Sequence, residues 1–306
     1  MLFFVITITT LLMIQLFLEC LLVEEKTREQ RKSRVWFDQR AGRVTASAFH
    51  EAVRTKNSSS LIKRVCYPQS FRFSTAATRW GLQNEDTARE SYLKTMRDLH
   101  VNFSITASGL IINPDLPWLG ASPDGVVTCD CHGSGVLEIK CPFNANGRAL
   151  KECVSDPHFC LTVTAEGMTL KQDHSYMYQL QAQMLVAEVM YGDFVVWTPQ
   201  EVFMQRVQFD QYFFDEAYTR MEEFIRKGVL PELLGKWFTV PHLSSSANLE
   251  KAPEGCYCGN PVDDTDILSC TSEQCKQKRF HKSCLKLSRV PKSWKCVECK
   301  KQTNKI

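Results

Sequence analysis

The sequence predicts a mixed α/β domain over residues 24–238 and a small cysteine-rich module over 255–302, joined by a linker at 239–254. Three observations predict this. Between Trp36 and Trp237, short apolar runs of strand length alternate with segments whose apolar residues recur at helical spacing. Residues 239–254 carry Pro241, Ser244-Ser245-Ser246 and Pro253 with little apolar periodicity, the composition of a linker. Seven of the 14 cysteines fall between Cys256 and Cys299. Hydrophobic content of 44% and charged content of 23% are ordinary for a folded protein. Net charge is only +3, but residues 251–306 hold 12 Lys and Arg against 6 Asp and Glu. The basic surplus is therefore C-terminal and compatible with an acidic partner such as DNA or a chromatin surface.

The chain opens on a hydrophobic segment, 1–23, whose residues 2–18 carry no charge. That run is at the short end of a membrane span. No Lys or Arg precedes it, whereas Lys26, Arg28, Arg31, Lys32 and Arg34 follow. A membrane anchor, a cleaved signal and a packed or non-native extension all stay open. Residues 24–35 read as a solvated helix or linker. Thr45-Ala46-Ser47 reads as the cap of a helix toward Arg54, and Asn57-Ser58-Ser59-Ser60 as a loop. A helix is expected over 78–97, with Trp80, Ala88 and Tyr92 on its apolar side. Strands are expected at Leu110–Ile112, Gly125–Val127 and Val136–Cys141, the last two joined by a hairpin loop over Thr128–Gly135. Met177, Leu180, Met184, Ala187 and Tyr191 mark a helix over 173–191, stopped by Gly192. Strands at Phe194–Trp197 and Val202–Phe209 follow, then a helix over 210–227 closed by Gly228.

One of these strands carries unusual chemistry. Side chains alternate along a strand, so Glu138 and Lys140 share one face and Leu137 and Ile139 the other. Asp124, in Ser122-Pro123-Asp124-Gly125, precedes them on a turn, and Glu85 sits on the polar side of the upstream helix. Neighbouring carboxylates repel unless a cation lies between them. Hydrolysis of a phosphodiester needs an activated water and neutralisation of charge on phosphate, and carboxylate-held Mg²⁺ or Mn²⁺ supplies both. A nearby lysine can orient or deprotonate the water, or stabilise the transition state.

These residues resemble the PD-(D/E)xK nuclease superfamily, and within it the YqaJ-like viral recombinase and phage lambda exonuclease family. The resemblance runs in order through Trp36…Arg40-Ala41-Gly42-Arg43-Val44-Thr45-Ala46-Ser47, Trp80-Gly81-Leu82-Gln83-Asn84-Glu85…Ala88-Arg89 and Ser122-Pro123-Asp124-Gly125. It continues through Leu137-Glu138-Ile139-Lys140-Cys141-Pro142-Phe143 and Tyr176…Gln179-Leu180-Gln181. It implies a restriction-endonuclease-like α/β core, a mixed sheet flanked by helices. By that resemblance Asp124, Glu138 and the Ile139 carbonyl hold Mg²⁺, with Glu85 approaching from its helix. Lys140 acts on the water and Gln179 lies beside it. Arg40, Ser47 and Ser122 match the residues that grip the 5′-phosphate of the degraded strand; Ser47 also reads as a helix cap. The family has a further phosphate-binding arginine where this chain has Asn146, and Arg148 two residues on is the candidate substitute.

The loop Cys129-Asp130-Cys131-His132 invites a metal reading with Cys153, His158 and Cys160, but the spacings match no common zinc module, and it reads as a hairpin loop with free thiols. The tail differs. Cys256-x-Cys258, Cys270, Cys275, His281-x-x-Cys284 and Cys296-x-x-Cys299 supply eight ligands, enough for two four-coordinate zinc sites. Zinc thiolates need reduced cysteine, which favours an intracellular location. The lone His and Trp294 two residues before Cys296 resemble a PHD finger. That resemblance pairs Cys256, Cys258, His281 and Cys284 on one zinc, and Cys270, Cys275, Cys296 and Cys299 on the other. It also implies a histone tail or another chromatin protein as partner. Arg279 stands where a trimethyl-lysine cage has its tryptophan, which argues against caging. An unmodified basic tail meeting Asp263-Asp264-Thr265-Asp266, scaffolding, and contacts through Lys276, Lys278, Arg279 and Lys282 stay open.

The sequence thus leads to an Mg²⁺-dependent DNA nuclease, expected to be an exonuclease on duplex ends in the nucleus, with a targeting finger; self-association is open. The competing class is a chromatin- or DNA-binding protein whose nuclease fold is degenerate. The intact Asp124, Glu138, Lys140 and Gln179 argue against it.

Overall fold

The structure, a computed structural model, describes residues 2–55, 58–71, 74–239, 256, 267–273, 275, 278–282, 284–285, 293–297 and 299–300, and the side chains of these apart from 2–11 and 215–216. It forms two units, Met1–Thr239 and Val240–Ile306.

In the first unit, α1 (Leu2–Lys26), α2 (Arg34–Arg40), β1 (Val44–Thr45), α3 (Ala46–Arg54) and α4 (Ser59–Cys66) lead to the long α5 (Ala76–Leu99). There follow β2 (Ser104–Thr106), β3 (Leu119–Gly120), and the hairpin of β4 (Gly125–Cys129) and β5 (Gly133–Lys140). Next come α6 (Leu150–Cys153), β6 (Leu161–Thr164), β7 (Gly167–Leu170), α7 (Ser175–Ala187), β8 (Tyr191–Trp197) and β9 (Val202–Gln208). Then α8 (Gln211–Phe224) runs through a π-helical turn into α9 (Leu230–Gly235).

The main sheet has five strands in the order β2-β4-β5-β8-β9. It is mixed: β5 and β8 are parallel, and the other pairs antiparallel. The predicted alternation in β5 holds. Leu137 and Ile139 join Val195 and Trp197 of β8 beneath Ala88, Tyr92 and Met96 of α5. Val136 joins Phe194 and Val196 on the opposite face, against Met177, Leu180 and Met184 of α7. Both faces of the strand are thus covered by helices, and Glu138 falls on the α7 face. Burying a residue such as Leu137, which is 0% exposed, contributes roughly 1.5–3 kcal/mol.

Several expectations are corrected. No strand forms at Leu110–Ile112; among the described residues only an isolated bridge joins Ile111 to Ala121. Gly192 does not stop α7. Glu188 does, in the left-handed conformation at φ 54°. Gly192 lies inside β8, where a Cβ would meet the Leu180 side chain at 2.8 Å. Gly228 likewise sits within the π-helical turn rather than closing a helix. The Ser58–Ser60 loop is largely α4. Ser47 is not a cap, since α3 starts after Thr45. Residues 24–35 are mostly exposed and partly helical, as expected, but they are docked rather than free. Thr27 is fully buried and its Oγ1 accepts the Leu110 N–H at 2.7 Å, while the Glu24 carboxylate accepts the Gly109 N–H at 2.9 Å. Among the described residues no helix is long and apolar enough to cross a membrane.

In the second unit, β10 (Ile267–Ser269) pairs antiparallel with β11 (Arg279–His281). Among its described residues Cys256, Cys270, Cys275, Cys296 and Cys299 are buried with Leu268 and Phe280, and the Phe280 ring meets Trp294 edge-on at 5.1 Å. Cys258 and most of the 239–254 linker lie outside the described residues.

Candidate active site

The C-terminal end of β5 opens into a cleft of about 770 Å³. Asp124, Ile139 and Lys140 line it from the β4–β5 side, Glu85 from α5, and Tyr176 from α7. Asp124 reaches the strand end because its N–H donates to the Leu137 carbonyl at 2.9 Å and extends the ladder. Its Oδ2 accepts the Ile139 N–H at 2.6 Å, which fixes the carboxylate against β5.

Glu138 is only 2% exposed, and each of its oxygens has an assigned donor. Oε1 accepts from Gln179 Nε2 at 2.6 Å and also pairs with the Lys140 ammonium. Oε2 accepts from Gln183 Nε2 at 2.5 Å. Gln179 Oε1 in turn accepts from Lys140 Nζ at 3.4 Å, and that ammonium lies 4.5 Å from the centre of the Tyr176 ring. Gln183 was not singled out in the sequence. Its signal was there: it follows Gln179 by one helical turn and so lies on the same side of α7.

The electrostatics follow from burial. Burial pushes the Asp124 carboxyl well above the ordinary carboxylate range, and the negative charge of Glu138 pushes it further. Burial works against the Lys140 ammonium, but Glu138 and Asp124 outweigh it and raise its pKa. Burial, with Glu85 and Asp124 nearby, lifts the Cys141 thiol to about 12, so it stays protonated. Glu85 accepts from Arg89 at 2.7 Å one turn along α5. A charged Asp124 beside Glu138 is costly without a compensating cation. The all-oxygen donor set of Glu85, Asp124, Glu138 and the backbone at Ile139 suits a hard divalent ion.

Arg40 and Ser47 line a second, smaller cleft of about 260 Å³ with Arg43, Thr45 and Arg64. The parallel pairing of β1 with β3, Val44 opposite Leu119, brings this segment beside the chain leading to Ser122. Thr45 Oγ1 lies 3.2 Å from Ser47 Oγ and accepts from Arg40 at 3.4 Å. Trp36 connects the group: its Nε1–H donates to Ser122 Oγ at 2.9 Å, and the Arg40 guanidinium lies 3.8 Å over its ring. Burial lowers the Arg40 pKa to about 10, which still leaves it charged at neutral pH. Ser122 precedes Asp124 by two residues, so the cationic group adjoins the acidic one. Arg148 is not brought there. It is exposed and its guanidinium turns back to the Glu152 carbonyl at 3.4 Å. Trp36 stood in the family blocks without an assigned role, and Thr45 with only that of a helix cap, a position it does occupy at the start of α3.

In the tail, the Sγ atoms of Cys270, Cys275, Cys296 and Cys299 converge, all four residues buried. Cys256, His281 and Cys284 form a second group, with Cys258 outside the described residues.

Comparison with known proteins gives a family. The model of the YqaJ-like viral recombinase domain matches residues 35–190, just over half of the chain. No curated protein matches significantly. Among solved structures, an alkaline exonuclease from Laribacter hongkongensis is similar at 26% identity and a TM-score of 0.48, over 66% of this chain and 95% of that one. The shutoff and exonuclease protein of Kaposi's sarcoma associated herpesvirus is similar at 14% identity and 0.48, over 72% and 74%. A phage-related exonuclease from Haemophilus somnus follows at 12% and 0.41, over 63% and 96%.

Proposed function

The chain belongs to the YqaJ-like viral recombinase domain family, a family of nucleases that hydrolyse DNA, and on that premise we propose that it is a divalent-metal-dependent deoxyribonuclease acting at duplex ends. The observation that carries this reading is that Asp124 and Lys140 line one cleft with Glu85, while Glu138 is buried behind it and paired with Lys140, each of the three strand-end groups held by a named partner.

Asp124, Glu138 and the Ile139 backbone would hold Mg²⁺ or Mn²⁺, with Glu85 facing them across the cleft. The bound ion would neutralise charge on the scissile phosphate and acidify a water. The protein's own contributions are positional. Gln179 and Gln183 fix both oxygens of Glu138, so the carboxylate is pre-oriented. Lys140 presents an ammonium to the same cleft, suited to orienting the water or stabilising charge on phosphate. Arg40, Thr45 and Ser47, braced by Trp36 against Ser122, offer hydroxyl and guanidinium donors to a terminal phosphate. That arrangement supports end recognition, with Asn146 leaving the family's further arginine position unfilled and Arg148 directed elsewhere.

The test is digestion of linear duplexes bearing 5′-phosphate, 5′-hydroxyl or sealed ends, with and without Mg²⁺. Cleavage should require the metal, favour the 5′-phosphate and spare sealed ends. Equal cleavage by Glu138→Ala protein would sink the reading.

The tail is proposed to be a PHD-type finger with two zinc ions that directs the nuclease, in the nucleus, to a chromatin protein or DNA. Its support is the grouping of the seven described ligands into a set of four and a set of three. Retention of the isolated tail by unmodified histone H3 peptide, and its loss when Asp263, Asp264 and Asp266 are changed to Asn, tests the chromatin arm.

A further inference from the structure

The loop Cys129-Asp130-Cys131-His132 finds a partner that its sequence neighbourhood did not suggest. Cys153 and Cys160 are buried in the core beneath α7, and His158 lines the acidic cleft. His100, at the C-terminal cap of α5, comes to the loop instead. One ligand atom from each of His100, Cys129, Cys131 and His132 lies within 4.8 Å of all the others. We propose that these four residues form a structural zinc site inside the nuclease domain, separate from the acidic cleft and from the tail.

The ligand atoms are gathered to within a few tenths of an ångström of the separations a tetrahedral ion sets, three of the four on the short side, so a bound ion would spread them slightly. Zinc bonds of about 2.3 Å to sulfur and 2.0–2.1 Å to nitrogen place neighbouring ligand atoms roughly 3.5–3.8 Å apart. Here Cys129 and Cys131 Sγ are 3.4 Å apart, and Cys129 Sγ lies 3.7 Å from His132 Nδ1. Cys131 Sγ lies 3.2 Å from His132 Nδ1 and 3.1 Å from His100 Nδ1. Both cysteines are free thiols. Thiols are weak hydrogen-bond donors, so two thiols and two imidazoles make a poor network by themselves. A cation between them satisfies all four.

The backbone holds the two segments together independently of any ion. Asp130 N–H donates to the Val101 carbonyl at 3.1 Å, and Asn102 Nδ2 donates to the Asp130 carboxylate at 2.7 Å. Asn102 and Gly133 take left-handed conformations, at φ 53° and 70°, that turn the chain into place. Cys129 is buried while Cys131 and His132 are exposed, so an ion can enter from solvent. Four protein ligands close the coordination shell, which makes the site structural rather than catalytic. On binding, each thiol releases its proton to solvent, and two thiolates balance the charge of the ion.

The consequence is mechanical. The site clamps the end of α5 to the tip of the β4–β5 hairpin; α5 carries Glu85 near its middle, and β5 carries Glu138 and Lys140 at its far end. From Glu85 to His100 the helix spans about 22 Å. The clamp would fix how α5 crosses the sheet and therefore where Glu85 stands.

The test compares the full chain with its His100→Ala/His132→Ala form, both purified under reducing conditions, by zinc content per chain. Wild type should hold one equivalent more, whatever the tail retains, and its cobalt-loaded form should show a tetrahedral ligand-field difference spectrum against the variant. Equal zinc contents would overturn the proposal. Should the double variant not fold, Cys131→Ser, which alters one exposed thiol, carries the same comparison: loss of that equivalent, or of its resistance to a mild chelator, supports the site, and unchanged content and resistance overturn it.

Discussion

The two units solve the problem of placing ligands in opposite ways. In Met1–Thr239 the apolar core comes first. Leu137, Ile139 and Val195 pack under Tyr92, and the acidic side chains are carried on β5, on the turn before β4 and on α5, whose positions that packing has already set. In Val240–Ile306 the ligands dominate the core: among the described residues, five of those buried are cysteines, with Leu268 and Phe280 beside them. A site in the first unit is a feature of a fold, whereas in the second the fold depends on the site. The first should survive loss of its ligands and the second should not.

Chelation tests that contrast most severely. Removal of zinc should abolish the dispersed amide resonances of residues 256–300 altogether, because zinc binding to small fingers is worth about 10–16 kcal/mol. Resonances of the sheet strands should persist. Persistence of the tail in strong chelator would break the comparison.

The next effect is on activity. Glu138→Gln keeps the shape of a buried side chain but removes the charge that pairs with Lys140 and is proposed to hold metal. Cleavage should fall by at least about 10³-fold, some 4 kcal/mol in the barrier. The melting temperature should move little by comparison. A variant that unfolds would show that the acidic site supports the fold after all, as in the tail.

Sequence was informative to different degrees in the two units. In the tail, spacing marked out the ligands and the resemblance to a PHD finger divided them into two sets, because so small a module leaves little else to hold it together. In the first unit the period of β5 assigned Glu138 and Lys140 to one face, since a strand allows no other arrangement. The rest was hidden where contacts are tertiary. Gln183 read as one more polar helix residue, yet it is 0% exposed and holds Glu138. His100 and Cys131 meet across 31 positions. Gly192 looked like a helix stop because glycine commonly is one, but here it lets β8 pass under Leu180. Residues 24–35 looked solvated because of their charge and mostly are, but the docking of Glu24 and Thr27 depends on Gly109 and Leu110, far along the chain.

A smaller effect separates binding from chemistry within the first unit. Arg40→Ala should reduce the preference for a 5′-phosphate over a 5′-hydroxyl end about tenfold to a hundredfold, the worth of a hydrogen bond to a charged group. Cleavage of the hydroxyl-ended duplex should change little, since Arg40 lines the neighbouring cleft rather than the acidic one. Equal losses on both substrates would mean that the cationic group shapes the acidic site instead of reading the end.

The smallest effect concerns stability and pH. Asp124 is held above its ordinary pKa by burial and by Glu138. A carboxyl whose pKa is raised on folding favours the folded state below its unfolded pKa, and that advantage is lost as pH rises through the folded value. Above the ordinary carboxylate range and without metal, keeping Asp124 in its buried place is therefore a cost. Asp124→Asn keeps an oxygen for the Ile139 N–H and removes the charge, so in chelator it should melt higher by about 2–4 °C, the shift that ~1 kcal/mol gives a domain of this size. The gap should close as pH falls below the ordinary carboxylate range, where both side chains are neutral. Added Mg²⁺ should raise the melting temperature of wild type and leave Asp124→Asn nearly unmoved. The site would then be one that the fold tolerates at a cost for the sake of its ion, the reverse of the tail, where the ion supports the fold. A lower melting temperature for Asp124→Asn in chelator would instead make Asp124 a structural partner of Lys140, and the contrast between the two units would weaken at its most sensitive point.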